Sequence, residues 1–224
     1  MYPFIRLIWQ VRQARKEPAL PVLGTHVSNH ICWPWDLDPW VELNNGRTLT
    51  LYDLGRIPLG ERTGLHRALK AQGWGMTVAG NTVRYRRRVK AFDRVQIVSR
   101  CIGWDARFLY IEQSMWKGTD CTSQQIVRGA VTSAEGIVAP ARLVEAMGQG
   151  IESPALPAWV AAWIDAENTR PWPPNADPHP AVACHAVPHQ ASCGKRGQAW
   201  QARNGGSGAG TSLTGPASPT ARWF

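Results

Sequence analysis

The chain is poor in the features that build a spanning or cross-linked protein. None of its 224 positions starts an uninterrupted apolar run of the roughly eighteen residues a spanning helix needs, so no ordinary membrane-crossing helix is expected. Cysteine is scarce: Cys32, Cys101, Cys121, Cys184 and Cys193 are odd in number and widely scattered. That excludes a disulfide framework and fits a reducing, cytoplasmic compartment. Carboxylates are outnumbered, 16 Asp and Glu against 25 Lys and Arg, which leaves a formal charge of +9. No nucleophile motif around a serine or cysteine accompanies His26, His30 or His66. The glycine-rich stretch 205–210 follows no strand pattern and precedes no Lys-Ser/Thr pair, so it is not a phosphate loop. Cys184, His185, His189 and Cys193 match no closed zinc spacing, so no metal or other cofactor is expected.

What is abundant is tryptophan, 12 residues, within a hydrophobic fraction of 44%. Disorder of the whole chain is thereby excluded. Large flat side chains must line a core, a tunnel or an interface.

The chain divides by character. Residues 1–26 form a basic arm in which Phe4, Ile5, Leu7, Ile8 and Val11 mix with Arg6, Arg12, Arg15 and Lys16. Such an arm either docks on its own domain or lies as a helix on an anionic membrane surface. A strand is expected over Ser28–Trp35, then a turn at Asp36–Pro39. Asn44-Asn45-Gly46 opens a helix that Pro58 kinks or ends. A second helix runs from Gly64 to Gln72 and stops at Gly73. Four antiparallel strands follow, Thr77–Val89, Arg94–Trp104, Arg107–Trp116 and Ser123–Thr132, joined by hairpin-like turns. Short helices are expected at Pro140–Met147 and Pro157–Glu167. The fold class is therefore α+β, one antiparallel sheet wrapped on one long helix. The domain spans 27–148, with a helical extension at 149–175. In the tail, 176–224, Gly, Pro, Ala and Ser fill 26 of 49 positions, and disorder is expected.

The chemistry-bearing stretch is Trp35-Asp36-Leu37-Asp38-Pro39-Trp40-Val41-Glu42-Leu43-Asn44-Asn45-Gly46-Arg47. Two carboxylates sit in a turn just ahead of a helix N-terminus. Free amides at a helix start can hold a developing oxyanion. A nearby carboxylate can act as base or nucleophile on the same carbonyl. The alternative is that Asp36 and Asp38 only shape the turn or cap the helix. Trp33, Trp35 and Trp40 flank these carboxylates and suit core or dimer packing, or the wall of a pocket.

This stretch resembles the D-x-D-x-x-G-H-V-N-N signature of hotdog-fold acyl-CoA thioesterases of the 4-hydroxybenzoyl-CoA thioesterase type. Tyr85, the Ile102–Asp105 turn and Phe108-Leu109-Tyr110-Ile111-Glu112 are similar to the thioesterase superfamily member 6-like branch. The resemblance covers roughly residues 27–135 and implies a hotdog fold, in which a curved antiparallel sheet wraps the long helix. It implies a homodimer or higher homo-oligomer with the site at the subunit interface. The implied activity is hydrolysis of an acyl-CoA thioester to free acid and coenzyme A, without metal. The alternative is a non-catalytic hotdog that binds acyl-CoA or an acyl carrier. Carried over by position, Asp38 is the carboxylate that attacks or activates water. Asn45 orients water or the thioester, and the amides of Gly46 and Arg47 serve the oxyanion. The chain departs from the signature at Val41-Glu42, where the pattern has glycine and histidine. Valine disfavours conformations that glycine adopts freely, so a reshaped loop is expected there.

The run Arg84-Tyr85-Arg86-Arg87-Arg88-Val89-Lys90 completes the set. On a regular strand Arg84, Arg86, Arg88 and Lys90 share one face, suited to the phosphates of coenzyme A. A bulge after Tyr85 would turn Arg87 to that side instead. The rival readings are nucleic acid, which is not the expected partner, and a solvated face paired with carboxylates.

Overall fold

In β1 (Thr25–Ile31) burial alternates residue by residue: His26, Ser28 and His30 point inward while Val27 and Asn29 face out. The computed structural model describes residues 2–172. Its elements are α1 (Phe4–Ala14), β1, α2 (Asn45–Thr63), α3 (Leu65–Gln72), β2 (Gly75–Tyr85), β3 (Arg94–Trp104), β4 (Phe108–Lys117), β5 (Asp120–Ser133), β6 (Gly136–Val138), α4 (Pro140–Ala146) and α5 (Ala158–Asn168). All lie in the first of two units into which the chain divides, Met1–Asn168. The tail read as disordered, 176–224, lies outside the described residues, and so do Cys184, His185, His189 and Cys193.

The strands are antiparallel in the order β1-β3-β4-β5-β2, with β6 paired to β5. The α+β layout read from the sequence holds. Helix α2 packs on β1, β3 and β4, burying Leu51, Tyr52 and Leu54 against Val95, Ile97 and Met115. Gly55 sets how closely they meet: a Cβ there would stand 2.7 Å from Ile97 Cγ2 and 2.8 Å from Ser99 Oγ. The opposite face of the sheet is covered by α5, whose Val160 packs with Tyr110 and Ile126.

Four expectations are corrected. Helix α2 continues through Pro58 to Thr63. Pro58 is buried, so tertiary packing holds a turn that propensity disfavours. The first strand is Thr25–Ile31, because Pro34–Asp36 closes into a 3₁₀ turn with Trp33 N–H on the Asp36 carboxylate. Strand β2 ends at Tyr85, not Val89: the amides of Arg86 and Arg87 both donate to Thr122 O, at 2.8 and 3.1 Å. Trp35 and Trp40, expected in core or dimer packing, are 67% and 78% exposed in the single chain and are not core residues.

The basic arm contributes α1. Gln10 Nε2 donates to Asn29 O and Arg6 Nη2 to Ile31 O, each at 2.9 Å, so side chains of the helix cover carbonyls on the outer edge of β1. Its other face leaves Phe4, Ile5, Ile8 and Trp9 exposed.

Candidate active site

The two carboxylates of the turn have separate jobs. Asp36 is 1% exposed and gathers three partners: Arg6 Nη1 at 2.8 Å, Arg47 Nε at 3.2 Å and Trp33 N–H at 3.0 Å. It ties α1, the 3₁₀ turn and the first turn of α2 together. Asp38 is half-buried and shapes the loop after it. Its Oδ1 accepts the amides of Trp40 at 2.9 Å and Glu42 at 3.3 Å. The Val41 amide donates to Asp38 O at 3.0 Å, and Leu37 bridges to Leu43. The loop is thus a miniature hairpin with Asp38 at its base.

Val41 holds this loop at φ +61°. The left-handed region is costly for a β-branched residue. Valine here takes a left-handed conformation of the kind glycine adopts readily, and the contacts of Asp38 with the amides of Trp40, Val41 and Glu42 close the loop around it.

The start of α2 follows. Asn44 is the N-cap, its Oδ1 accepting the Arg47 amide at 3.1 Å, while its own amide donates to Asp36 O at 3.0 Å. This corrects the oxyanion pair. The Arg47 amide is already satisfied, and its guanidinium is on Asp36. Asn45 and Gly46, at the first two helical positions, keep amides that no helical carbonyl reaches.

A hollow of about 210 Å³ opens beside this helix end, lined by Glu42, Asn45, Tyr85, Arg86, Arg87 and Arg88 among others. Glu42 Oε2 forms an ion pair with Arg88 Nε at 3.0 Å, and Tyr85 OH donates to Asn45 O at 3.4 Å. Asn45, Arg86 and Arg88 are therefore brought together, and Arg87 joins them through the irregularity after Tyr85. Asp38 does not line the hollow; it stands at the base of the loop that delivers Glu42 to it. Arg84 lies elsewhere, on the face of the sheet that carries α5. Sequence reasoning kept Glu42 as the second suspect behind Asp38, because only the loop's fold shows which carboxylate faces the hollow.

A second cavity, about 360 Å³, lies between the C-terminal half of α2, α3 and the start of β2. Leu59, Leu65, Leu69, Met76, Leu109 and Val127 line it, with Arg56 and His66 among its polar members. No motif announced it, because its walls come from six separate elements.

The two histidines of β1 are buried among polar neighbours. Burial, with Arg6 and His26 nearby, pushes the His30 pKa down to about 3, and its Nε2 meets Ser28 Oγ at 2.8 Å. Burial and Arg62 lower His26 likewise. His66 sits 3.5 Å from Glu61. Among the described residues no group of three His, Cys, Asp or Glu is placed to hold a metal ion.

Comparison with known proteins gives three concordant findings. A family profile described as the thioesterase-like superfamily matches residues 32–164. Protein THEM6 of Xenopus laevis is 32% identical over 165 residues, covering 72% of this chain and 78% of that relative. The solved structure of YbaW, a candidate thioesterase of Escherichia coli, superposes with a TM-score of 0.51 at 15% identity, covering 55% of this chain and 98% of YbaW.

Proposed function

Because the chain belongs to the thioesterase-like superfamily, with its hotdog fold and in the branch of the THEM6 proteins, we propose that it hydrolyses an acyl-CoA thioester to the free acid and coenzyme A. The observation that carries this reading is the open N-terminus of α2 beside a hollow ringed by Glu42, Asn45 and three arginines. The acyl chain would enter an apolar cavity such as the one lined by Leu59, Leu69 and Met76. The carbonyl oxygen would take the amides of Asn45 and Gly46, which with the helix dipole favour negative charge.

Asp38 is the proposed base. It would take a proton from water as the oxygen attacks the thioester carbonyl. Collapse of the tetrahedral intermediate would break the C–S bond, and the leaving thiolate would recover the proton. Arg86 and Arg88 would meet phosphate oxygens, for which a guanidinium fork is suited.

The site is proposed to form in a homodimer. The outer edge of β2 has no partner among the described residues, and it presents exposed Val78 and Tyr85. Antiparallel pairing of two such edges would set the start of one β2, beside the apolar cavity, against the end of the other, beside the α2 N-terminus.

Thiol release measured across short, long and aromatic acyl-CoAs tests the activity. Turnover above the spontaneous rate with one class supports it. Saturable binding with no release would assign the alternative, a non-catalytic acyl-CoA or acyl-carrier protein. A cytoplasmic location is proposed with a peripheral contact. No described helix is long and apolar enough to cross a membrane. The exposed row Phe4, Ile5, Ile8 and Trp9 on α1, followed by Arg12, Arg15 and Lys16, favours contact with an anionic membrane surface through residues 1–26. Co-sedimentation with anionic vesicles should be lost in Ile5→Glu/Trp9→Glu protein and persist in wild type.

A further inference from the structure

Arg6 and Arg47 answer Asp36, Arg15 answers Glu61, Arg56 Asp53, Arg62 Glu17, Arg88 Glu42, Arg100 Glu112 and Arg128 Glu167. Arg84, Arg86 and Arg87 do not. They follow one another within four residues at the end of β2, they are exposed, and no carboxylate among the described residues pairs with them. They are also held apart from the acids of the sheet. Gln124, opposite Arg84 in the register, spends its amide on Glu112, which is already bonded to Arg100.

These arginines border a trough that adjoins the hollow at the α2 N-terminus, Tyr85, Arg86 and Arg87 lining both. It consists of two adjoining depressions of about 760 Å³ each, which share Arg84, Tyr85 and Gln124. One holds Arg86, Arg87 and Trp116, with Asp120 its sole lining carboxylate. The other has Thr82 and Ile126 for a floor and the indoles of Trp159 and Trp163 for a wall, with no carboxylate at all.

Helix α5 supplies that wall and is fixed on the sheet. Val160 is fully buried against Tyr110 and Ile126. Trp163 meets Tyr110 edge to face at 6.5 Å and lies over the Arg128 guanidinium, which pairs with Glu167 at 3.7 Å. Trp159, one turn earlier on the same side, is 47% exposed. An indole left open beside unpaired guanidiniums combines a stacking platform with phosphate ligands, the pairing by which proteins hold a purine nucleotide.

We infer that this trough seats the nucleotide end of the substrate: a purine ring against Trp159 and phosphates on Arg84, Arg86 and Arg87. The inference rests on the acyl-CoA reading and adds to it that α5, an element outside the sheet-and-helix core, selects thioesters carrying a nucleotide.

The probe is adenosine 3′,5′-bisphosphate, titrated calorimetrically into the full-length protein. Wild type should bind it, more weakly as salt rises. Trp159→Ala should weaken binding roughly tenfold, the loss expected when a base loses its aromatic platform. Trp159→Phe should recover most of it, which guards against a packing defect in the alanine variant. Arg84→Ala should weaken binding and flatten its salt dependence. Arg67→Ala, an exposed arginine on α3, should leave it unchanged. No binding by wild type, equal binding by Trp159→Ala, or an equal loss in Arg67→Ala would each overturn the inference. So would tight binding of a single-stranded RNA with none of the bisphosphate. The two readings fail separately. Bisphosphate binding that depends on Trp159 in a protein that releases no thiol would sink hydrolysis and keep the trough. Thiol release without bisphosphate binding would do the reverse.

Discussion

Replacing Asp36 with asparagine removes a negative charge from between two guanidiniums while keeping the side chain's shape. The carboxylate is 1% exposed, and the side chains of Arg6 and Arg47 are each 19% exposed. Asparagine offers a single carbonyl oxygen and turns an NH₂ toward one arginine. Leaving one side of a buried ion pair uncompensated costs about 3–5 kcal/mol. The arginines can swing partly into water, so the lower end applies, about 3 kcal/mol. For a domain of this size each kcal/mol moves Tm by roughly 2–4 °C, so a fall of about 6–12 °C is expected. Urea denaturation gives the free energy and thermal melting the temperature. Because Arg6 is the link from α1 to the 3₁₀ turn, trypsin should also cut after Arg12 and Arg15 sooner in Asp36→Asn protein. A loss below about 1 kcal/mol, the scale of an exposed pair, would refute the reasoning. It would mean that water reaches this cluster and that Asp36 is free for chemistry.

Asp38→Asn should lower turnover by at least about 10²-fold, the scale for losing a positioned base, with binding of a non-hydrolysable acyl-CoA retained. Wild-type turnover in that variant would transfer the role to Glu42, the carboxylate that lines the hollow. Val41→Gly should raise stability by about 1 kcal/mol in urea, since it relieves the left-handed strain at φ +61°; a loss would show that the valine side chain contributes packing. Gly55→Ala should cost about 1–3 kcal/mol through overpacking on Ile97, and an unchanged melting curve would show that α2 can shift. His30 titrates far below its unfolded value, at about 3. The unfolded chain therefore binds a proton that the fold excludes. Its contribution is complete above pH 6.5 and declines by about 1.4 kcal/mol per pH unit as pH falls toward 3. A His30→Gln variant should show a shallower acid limb in pH-dependent melting, and parallel limbs would exclude His30 as the cause.

The sequence-level reading and the structure agree where local pattern dominates. Arg94–Trp104 alternates in burial along its length and is flanked by turn residues, and it is a strand over those same residues. Gly73 ends α3 at φ +66° because only a residue without a side chain takes that conformation at little cost. Pro58 and the run after Tyr85 were misread for opposite reasons. At Pro58 the loss of one helical hydrogen bond was outweighed by burial, which a window of neighbours cannot show. After Tyr85 alternation was extended past the point where two successive amides converge on one carbonyl of β5.

The sequence alone determined the α+β layout, the order of helix and strands, the turn that carries two carboxylates and the helix that starts behind it. Those depend on periodicity, capping and turn chemistry, which act over a few residues. Tertiary structure decided which carboxylate is buried as an ion-pair hub and which faces a hollow. It decided that the Arg47 amide is spent on a cap, and that Arg84 stays out of the hollow that Arg86 and Arg88 line. It also brought two tryptophans of α5 to the end of β2, more than seventy residues away along the chain. Burial and pairing of a charge depend on groups that only the closed fold brings within a few ångströms, so no local pattern could have assigned them.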